Sequence, residues 1–396
     1  MKRRQFVSSL TASLPLLTVA GRLLAAPPSS ARFLLVFLRG GYDCANALVP
    51  YSSDFYFESR PNIAIAKPDP AGKDGALALD SNWALAPALR ESIGQMYLNK
   101  EVAFMPFAGT DDLSRSHFET QDSIERGQPP DQHDFNSGFM ARLAATLAGR
   151  AAPIAFTDAL PLVFRGQGDV PNVSLRAVGK PAFDQRQSTI LAGMYQDHHL
   201  HAAVADGLEL RQQVAQEFED EMQKANRGAV NAKGFAAEAQ RIARMMREQY
   251  RLGFVDIGGW DTHVNQGGAR GQLAGNLENL GRGLAAFAQE LGSEWNNTVV
   301  VVISEFGRTF RENGNKGTDH GHGSVYWVLG GGIAGGRVVG EQEEIRPSTL
   351  LQNRDYPALN NYRSMLGGLY ARLWGLDDTR IGRVFQQVKT VDLRLV

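Results

Sequence analysis

The chain has a single cysteine, Cys44, in 396 residues. No intramolecular disulfide can form, and a cysteine-built zinc site is excluded. Net charge is almost absent: 41 Lys and Arg stand against 42 Asp and Glu, a formal balance of −1. Such a balance offers no electrostatic hold on nucleic acid or on an anionic membrane surface. Long hydrophobic runs are missing too. The apolar stretch near the N-terminus is broken by Pro15 and Arg22, short of the ~20 uninterrupted apolar residues a spanning helix needs. There is no fixed-period repeat and no low-complexity linker to split the chain. What remains is an ordinary globular composition, 43% hydrophobic and 21% charged, with material for a sizeable core.

The first residues read as an address. "MKRRQFVSSLTASLPLLTVAGRLLAA" has a basic head, a modest apolar run and small residues near its end, the layout of a signal peptide. Arg3 and Arg4 followed by Gln5, Phe6 and Val7 match a twin-arginine export signal. Residues 1–30 are therefore set aside as a leader. The expected location is periplasmic or extracellular, without stable membrane insertion once the signal is removed.

Residues 31–396 read as one α/β domain. "RFLLVFLRGGYD" and "EVAFMPFAGT" begin as continuous apolar runs and end in loops, the pattern of buried parallel strands. "APIAFTD" and "LPLVFRG" are weaker strand signals. "DDLSRSHFETQDSIERG" reads as a helix. From about Ser188 to Tyr250 the apolar spacing is helical, which suggests a helical insertion near 188–250. "RLGFVDIGGWDTH" is again a strand and a loop, "QLAGNLENLGRGLAAFAQELGS" a helix. "NTVVVVISEFGRT" is the strongest strand of all, and "SVYWVLGGGIAGG" is another. Strands alternating with helices predict a three-layer α/β/α sandwich on a mostly parallel sheet.

In open α/β sheets, ligands bind beyond the carboxyl ends of the strands, and the polar residues gather there. Asp43 follows the first strand. Ser114, Arg115, Ser116 and His117 follow the second. Asp261 and His263 follow the strand that begins near Leu252. Ser304 and Glu305 end "VVVVIS", and Asp319, His320 and His322 come soon after in "GTDHGHG". Individually these residues have plain explanations. Asp43 after two glycines suits a turn, Asp261 or Thr262 suits a helix cap, and His117 suits a capping or packed histidine. Glu305 is harder to place so simply. A carboxylate appended to an apolar run needs a metal, an arginine or a proton, and Arg308 is the nearby arginine. Together the set offers carboxylate oxygens and imidazoles suited to zinc or manganese, with magnesium or calcium also served by the carboxylates. Two ions about 4 Å apart would clamp an in-line displacement. A serine at a helix N-terminus is placed to act as nucleophile.

"FLRGGYDCANALVPY", "SRSHFETQDSIERG", "GGWDTHVNQ", "ISEFGRTFRENGNKGTDHGHG" and "VLGGGIAGG", in this order behind a twin-arginine leader, resemble the secreted bacterial domain-of-unknown-function family 1501. That family is similar to the alkaline phosphatase and sulfatase superfamily. The resemblance implies an alkaline-phosphatase-like sandwich with a metal site at the strand ends. It implies metal ligands among Asp43, Asp261, His263, Glu305, Asp319, His320 and His322. It also implies a nucleophile at Ser116, with Ser114 as competitor. His117 and Arg308 join Ser116 as catalytic candidates, and Arg115 or Arg308 would bind an anionic group. Two departures stand out. The acid-then-histidine pair is here Glu305 then Phe306, and Asp261 and His263 lie only two apart. Asp319 with His320 or His322 is the candidate replacement for the missing imidazole.

The expected function is an exported metal-dependent hydrolase of phosphate or sulfate esters, using one or two divalent ions, zinc first. Its substrate would be a small-molecule or glycan-linked anionic ester. The alternative is a non-catalytic secreted binding or structural protein that keeps the fold and a metal. "DHHLH" and "DQHDFNSG" are read as solvated surface, so His133 is left outside the ligand set.

Overall fold

The computed structural model describes residues 30–69, 72–166, 168–174, 190, 193–196, 199–202, 204–207 and 235–396. The expected leader, apart from Ser30, lies outside these residues. So do positions 208–234 of the expected helical insertion, including "LRQQVAQEFEDEMQKAN".

The strands are β1 (Arg32–Leu38), β2 (Leu48–Val49), β3 (Leu77–Ala78), β4 (Ala84–Leu85), β5 (Val102–Gly109), β6 (Pro153–Phe156), β7 (Leu252–Ile257), β8 (Thr298–Ser304), β9 (Ser324–Leu329), β10 (Arg337–Val338) and β11 (Asn360–Asn361). The helices are α1 (Asp54–Ser59), α2 (Gln95–Leu98), α3 (His117–Arg126), α4 (Phe139–Leu147), α5 (Phe235–Glu248), α6 (Gln272–Leu291), α7 (Tyr362–Trp374) and α8 (Asp378–Val384). The main sheet runs β10-β5-β9-β8-β1-β7-β6, with β11 also on β5. A small sheet, β2-β4-β3, stands apart.

Alternation along the strands builds two cores. Phe33, Leu35 and Phe37 of β1, with Val299, Val301 and Ile303 of β8, face one side. There they meet α4, α7 and α8 through residues such as Leu143, Leu366 and Val384. Leu34, Val36 and Leu38, with Val300 and Val302, face the other side and meet α5 and α6 through Met246, Leu277 and Leu284. Each fully buried aliphatic or aromatic side chain contributes about 1.5–3 kcal/mol. Both faces of the sheet are covered, which is why the strands read as unbroken apolar runs. The expected three-layer α/β/α sandwich is observed.

Two details differ from expectation. "LPLVFRG" is no strand: Leu162–Phe164 form a 3₁₀ turn after Pro161. The first helix of the site is shorter than expected, because residues 111–116 are loop and α3 begins only at His117.

Pairing directions decide where the site sits. β1 is parallel to β7 and β8, and β6 is parallel to β7. β9 is antiparallel to both β8 and β5. Being reversed, β9 starts at the edge where β1, β5, β7 and β8 end. The segment before β9, which holds "GTDHGHG", therefore faces the loops after four parallel strands. The loop after β1 is pressed into the same edge. Gly41 has a left-handed φ of +60°, and a Cβ there would overlap the Phe306 ring. Glycine relieves both the backbone and the contact.

Candidate metal centre

Three loops deliver side chains to one point. His117 opens α3. Ser116 caps that helix, its Oγ accepting from the Glu119 amide at 3.5 Å, so "SHFE" is a capping box in outline. Arg115, at a left-handed φ of +55°, turns the chain into the helix. Asp261 and His263 lie in the loop after β7. Trp260 pins that loop from below, buried and donating Nε1–H to the Ile257 carbonyl at 2.9 Å. His320 lies before β9, held by the paired bridge between Arg308 and His320.

The Nδ1 atoms of three imidazoles each face an acceptor that cannot donate. His117 Nδ1 is 2.8 Å from Glu305 Oε1. His263 Nδ1 is 3.1 Å from Asp319 Oδ1. His320 Nδ1 is 3.0 Å from the Arg115 carbonyl oxygen. Each Nδ1 therefore carries the hydrogen, and in the neutral ring each Nε2 presents a lone pair. The three Nε2 atoms turn toward Asp261. His263 Nε2 is 2.9 Å and His320 Nε2 3.4 Å from Asp261 Oδ1. His117 Nε2 is 3.5 Å from Asp261 Oδ2, buried and, among the described residues, without a hydrogen-bond partner. His263 Nε2 and His320 Nε2 are 3.1 Å apart.

This arrangement fits a divalent cation. Lone pairs crowded together with a carboxylate repel unless a positive charge lies between them. A tetrahedral ion with bonds of about 2.0–2.1 Å separates its ligand atoms by about 3.3 Å, close to the spacings found. Among the described residues, His117, Asp261 and His320 form a cluster whose ligand atoms all lie within 4.8 Å of one another, and His263 adjoins it. The outer partners have the form seen around metal-bound histidines, a carboxylate or carbonyl on the far nitrogen.

The electrostatics keep the three carboxylates ionised but favour a proton on His117, which a ligand role at its Nε2 would displace. Burial pushes the Asp261 carboxyl up, but the hydrogen bond and charge of Arg308 and the nearby His263 and His117 hold it below its ordinary value. Glu305 is fully buried. Burial raises it, and hydrogen bonds from His117, Gln121 and the Gly40 amide bring it below the usual carboxylate range. Asp319 is likewise lowered, burial being outweighed by hydrogen bonds from Asn313 and His263. The hydrogen bond to Glu305 raises His117 above the usual histidine value, against the effect of burial. His320 is lowered by burial and by the His117 charge. Phe306 forms a dry wall, its ring centroid 4.9 Å from that of His117 and 5.2 Å from that of His320.

The other expected residues are placed differently. Asp43 does not reach the cluster. It is buried, and its two oxygens accept from Arg60 at 2.6 and 3.0 Å and from Gln266 at 2.5 Å. It supports the centre indirectly, because Gln266 Oε1 accepts from Thr262 and Thr318, and Thr318 Oγ1 accepts from Arg308. Glu305 stands behind His117, and its partners are His117, Gln121, Gly40 and Ser304 rather than Arg308. Asp319 stands behind His263. His322 is buried apart from the cluster, beside Arg115. Burial first, then the Arg115 charge, pushes it down to about 4. Arg308 is buried and committed to Asp261 at 2.5 Å and to Thr318. Arg115 contacts Asp355 and Gln352. Ser114 Oγ lies 3.2 Å from Thr120 Oγ1. His133 pairs with Arg126.

Sequence reasoning passed over Arg60, Gln121, Gln266 and Asn313. For Gln121 a signal was present: four residues after His117, it shares a helix face with it. The other three become partners only through the fold.

No curated protein matches this chain. Similar solved structures include a protein in the alkaline phosphatase superfamily from Vibrio parahaemolyticus, at 14% identity and TM-score 0.37, covering 90% of this chain and 70% of that one. Ps i-CgsB in complex with k-i-k-neocarrahexaose is 11% identical with TM-score 0.38, covering 92% and 75%. The lipoteichoic acid synthase LtaP from Listeria monocytogenes is 9% identical with TM-score 0.38, covering 92% and 76%. The family model described as "Protein of unknown function (DUF1501)" matches residues 30–388, and the chain belongs to that family.

Proposed function

We propose that the chain is an exported metal-dependent hydrolase of phosphate or sulfate esters. The observation that supports this reading is the convergence of three imidazole Nε2 atoms on one carboxylate, each imidazole held from behind by an acceptor. His117, Asp261, His263 and His320 would hold a single divalent ion, zinc first. Asp43, another acid of the expected ligand set, is paired with Arg60 and so is not free to serve a second ion.

A bound divalent ion would polarise an ester's non-bridging oxygens and favour the ionised form of an oxygen nucleophile. Ser116 is the nucleophile in this reading. It adjoins His117 at the N-terminus of α3, and among the described residues its hydroxyl makes only the long contact to the Glu119 amide. First-turn N–H groups there favour an anionic ester. The Ser116 oxygen would bond to phosphorus or sulfur as the bond to the alcohol oxygen breaks. The hydroxyl proton leaves with the alcohol, and water then cleaves the ester formed on Ser116. Asp261 is fixed by Arg308, and Glu305 and Asp319 fix the rings of His117 and His263.

The test is metal analysis of protein recovered after export, with turnover of aryl phosphates and aryl sulfates measured before and after chelation. The reading expects about one ion per chain and turnover lost on chelation. Chelator-insensitive turnover would overturn the metal role. Equal turnover by wild type and Ser116→Ala would remove the serine from the mechanism.

A further inference from the structure

His117, Gln121 and Glu125 stand four residues apart on α3 and form one stripe of its surface. The stripe faces the ends of β1 and β8. Arg39 and Glu305 each stand one residue beyond the paired Leu38 and Ser304 of those strands. The Arg39 amide also donates to the Ile257 carbonyl at the end of β7, at 2.9 Å.

A chain of contacts runs from Arg39 to the cluster. His117 Nδ1 and Gln121 Nε2 both donate to Glu305 Oε1, each at 2.8 Å, and the Gly40 amide meets the same oxygen at 2.8 Å. Gln121 Oε1 in turn accepts from Arg39 Nη1 at 2.9 Å. Arg39 is held on its other sides. Its Nη2 donates to Glu125 Oε1 at 2.8 Å and its Nε to Asp256 Oδ2 at 2.7 Å. Its guanidinium lies over the Phe37 ring, 4.8 Å from the centroid.

An amide is the side chain this place requires. A guanidinium only donates, and an ionised carboxylate only accepts. Glutamine carries both functions, so it bridges the two in a single orientation, with Oε1 to Arg39 and Nε2 to Glu305. Glutamate would set an oxygen against Glu305, and lysine would set a cation against Arg39. Glu305 is fully buried, so these donors fix the position of its Oε1. That oxygen in turn fixes the His117 ring.

We infer that Arg39 and Gln121 are positioning residues of the metal centre: through Glu305 they hold His117 with its Nε2 turned toward Asp261, and so raise the affinity for the ion. This rests on the ion-binding reading above and deepens it.

The test sets zinc affinity, measured by competition with a chelator of known affinity, against thermal unfolding of the same proteins in excess chelator. Gln121→Met keeps the length of the side chain and loses both hydrogen bonds. It is expected to weaken zinc binding about tenfold. Arg39→Lys keeps a charge beside Glu125 and Asp256 but loses the planar fork. It is expected to weaken zinc binding about fivefold, the worth of one hydrogen bond. In the Gln121→Met background, Arg39→Lys should change zinc affinity by less than about twofold, because its route to Glu305 is already cut. Its effect on unfolding should persist there, because the contacts to Glu125 and Asp256 do not pass through Gln121. Wild-type zinc affinity in Gln121→Met overturns the inference and leaves the metal centre standing. So does an Arg39→Lys effect on zinc that is absent, or equal in both backgrounds, as a purely structural arginine would give. If Arg39→Lys does not fold, the affinity of Gln121→Met decides alone. Wild-type protein that takes up no zinc removes both this inference and the ion-binding reading.

Discussion

His263 Nε2 stands 3.1 Å from His320 Nε2, and the far nitrogen of each ring is engaged by an oxygen acceptor. The pair discriminates between the two histidines of "GTDHGHG". His320 belongs to the cluster, and His322 lies beyond Arg115. His320→Ala is expected to lower metal affinity by more than about 100-fold, beyond the usual effect of an outer-shell change. His322→Ala is expected to retain the ion. Metal content measured by mass spectrometry on both variants checks this. Equal loss from the two would show that both rings serve the ion.

Glu305 and Asp319 act through histidines, so their removal should cost less than removal of a ligand. Glu305→Gln and Asp319→Asn are each expected to weaken metal binding about 10- to 100-fold while the protein remains folded. Competition with a chelator of known affinity measures the change. If Glu305→Gln lost the ion as completely as His117→Ala, the carboxylate would be a ligand itself.

The sequence made the rim of the site legible and left its inner order hidden. Strand ends can be read from runs such as "VVVVIS", because both faces of the sheet are covered and the inner residues of its central strands are apolar. Asp261, His263 and His320, read as parts of one rim, lie beside one another in the structure. What pattern could not show is which acid touches an ion and which touches a histidine. Glu305 and Asp261 both sit at strand ends, yet one is fully buried behind His117 and the other faces the opening. Arg60 claims Asp43 across 17 residues that include β2 and α1, a separation that carries no periodic signal. The reversal of β9 was likewise invisible, since a strand buried on both faces reads the same in either direction.

Asp43 and Arg60 form a buried pair, 1% and 0% exposed. Removing one partner leaves an uncompensated charge, typically worth about 3–5 kcal/mol. Arg60→Leu is expected to lose stability on that scale in thermal or denaturant unfolding. Adding Asp43→Leu should recover part of the loss, because no lone charge remains. If Arg60→Leu unfolds with wild-type stability, the pair is not closed in solution.

Cys44 lies 2% exposed beneath the same loop, and burial, followed by the Asp43 charge, pushes its thiol up to about 12. Thiolate is the reactive form, so raising the pH through the ordinary thiol range should not activate it. Alkylation of native protein is expected to stay slow up to about pH 10, where a free cysteine with a pKa near 8.5 is fully reactive. It should become rapid only on unfolding. Labelling followed by intact mass, with and without denaturant, measures this. Fast labelling of the native chain would show that the loop after β1 opens.

Gly41 and Phe306 share one volume. A Cβ at Gly41 would overlap the ring that walls His117 and His320, and the backbone there is left-handed. Gly41→Ala therefore carries a backbone cost and a packing cost, together about 2–4 kcal/mol. Phe306→Leu on its own removes the wall and should weaken metal binding with a smaller effect on stability. In the double variant the smaller leucine relieves the overlap but not the backbone strain. The stabilities should therefore be non-additive, with a favourable coupling of about 1 kcal/mol or more. Simple additivity in the double-mutant cycle would show that Phe306 is not what reserves position 41 for glycine. The wall would then have to be held by other contacts.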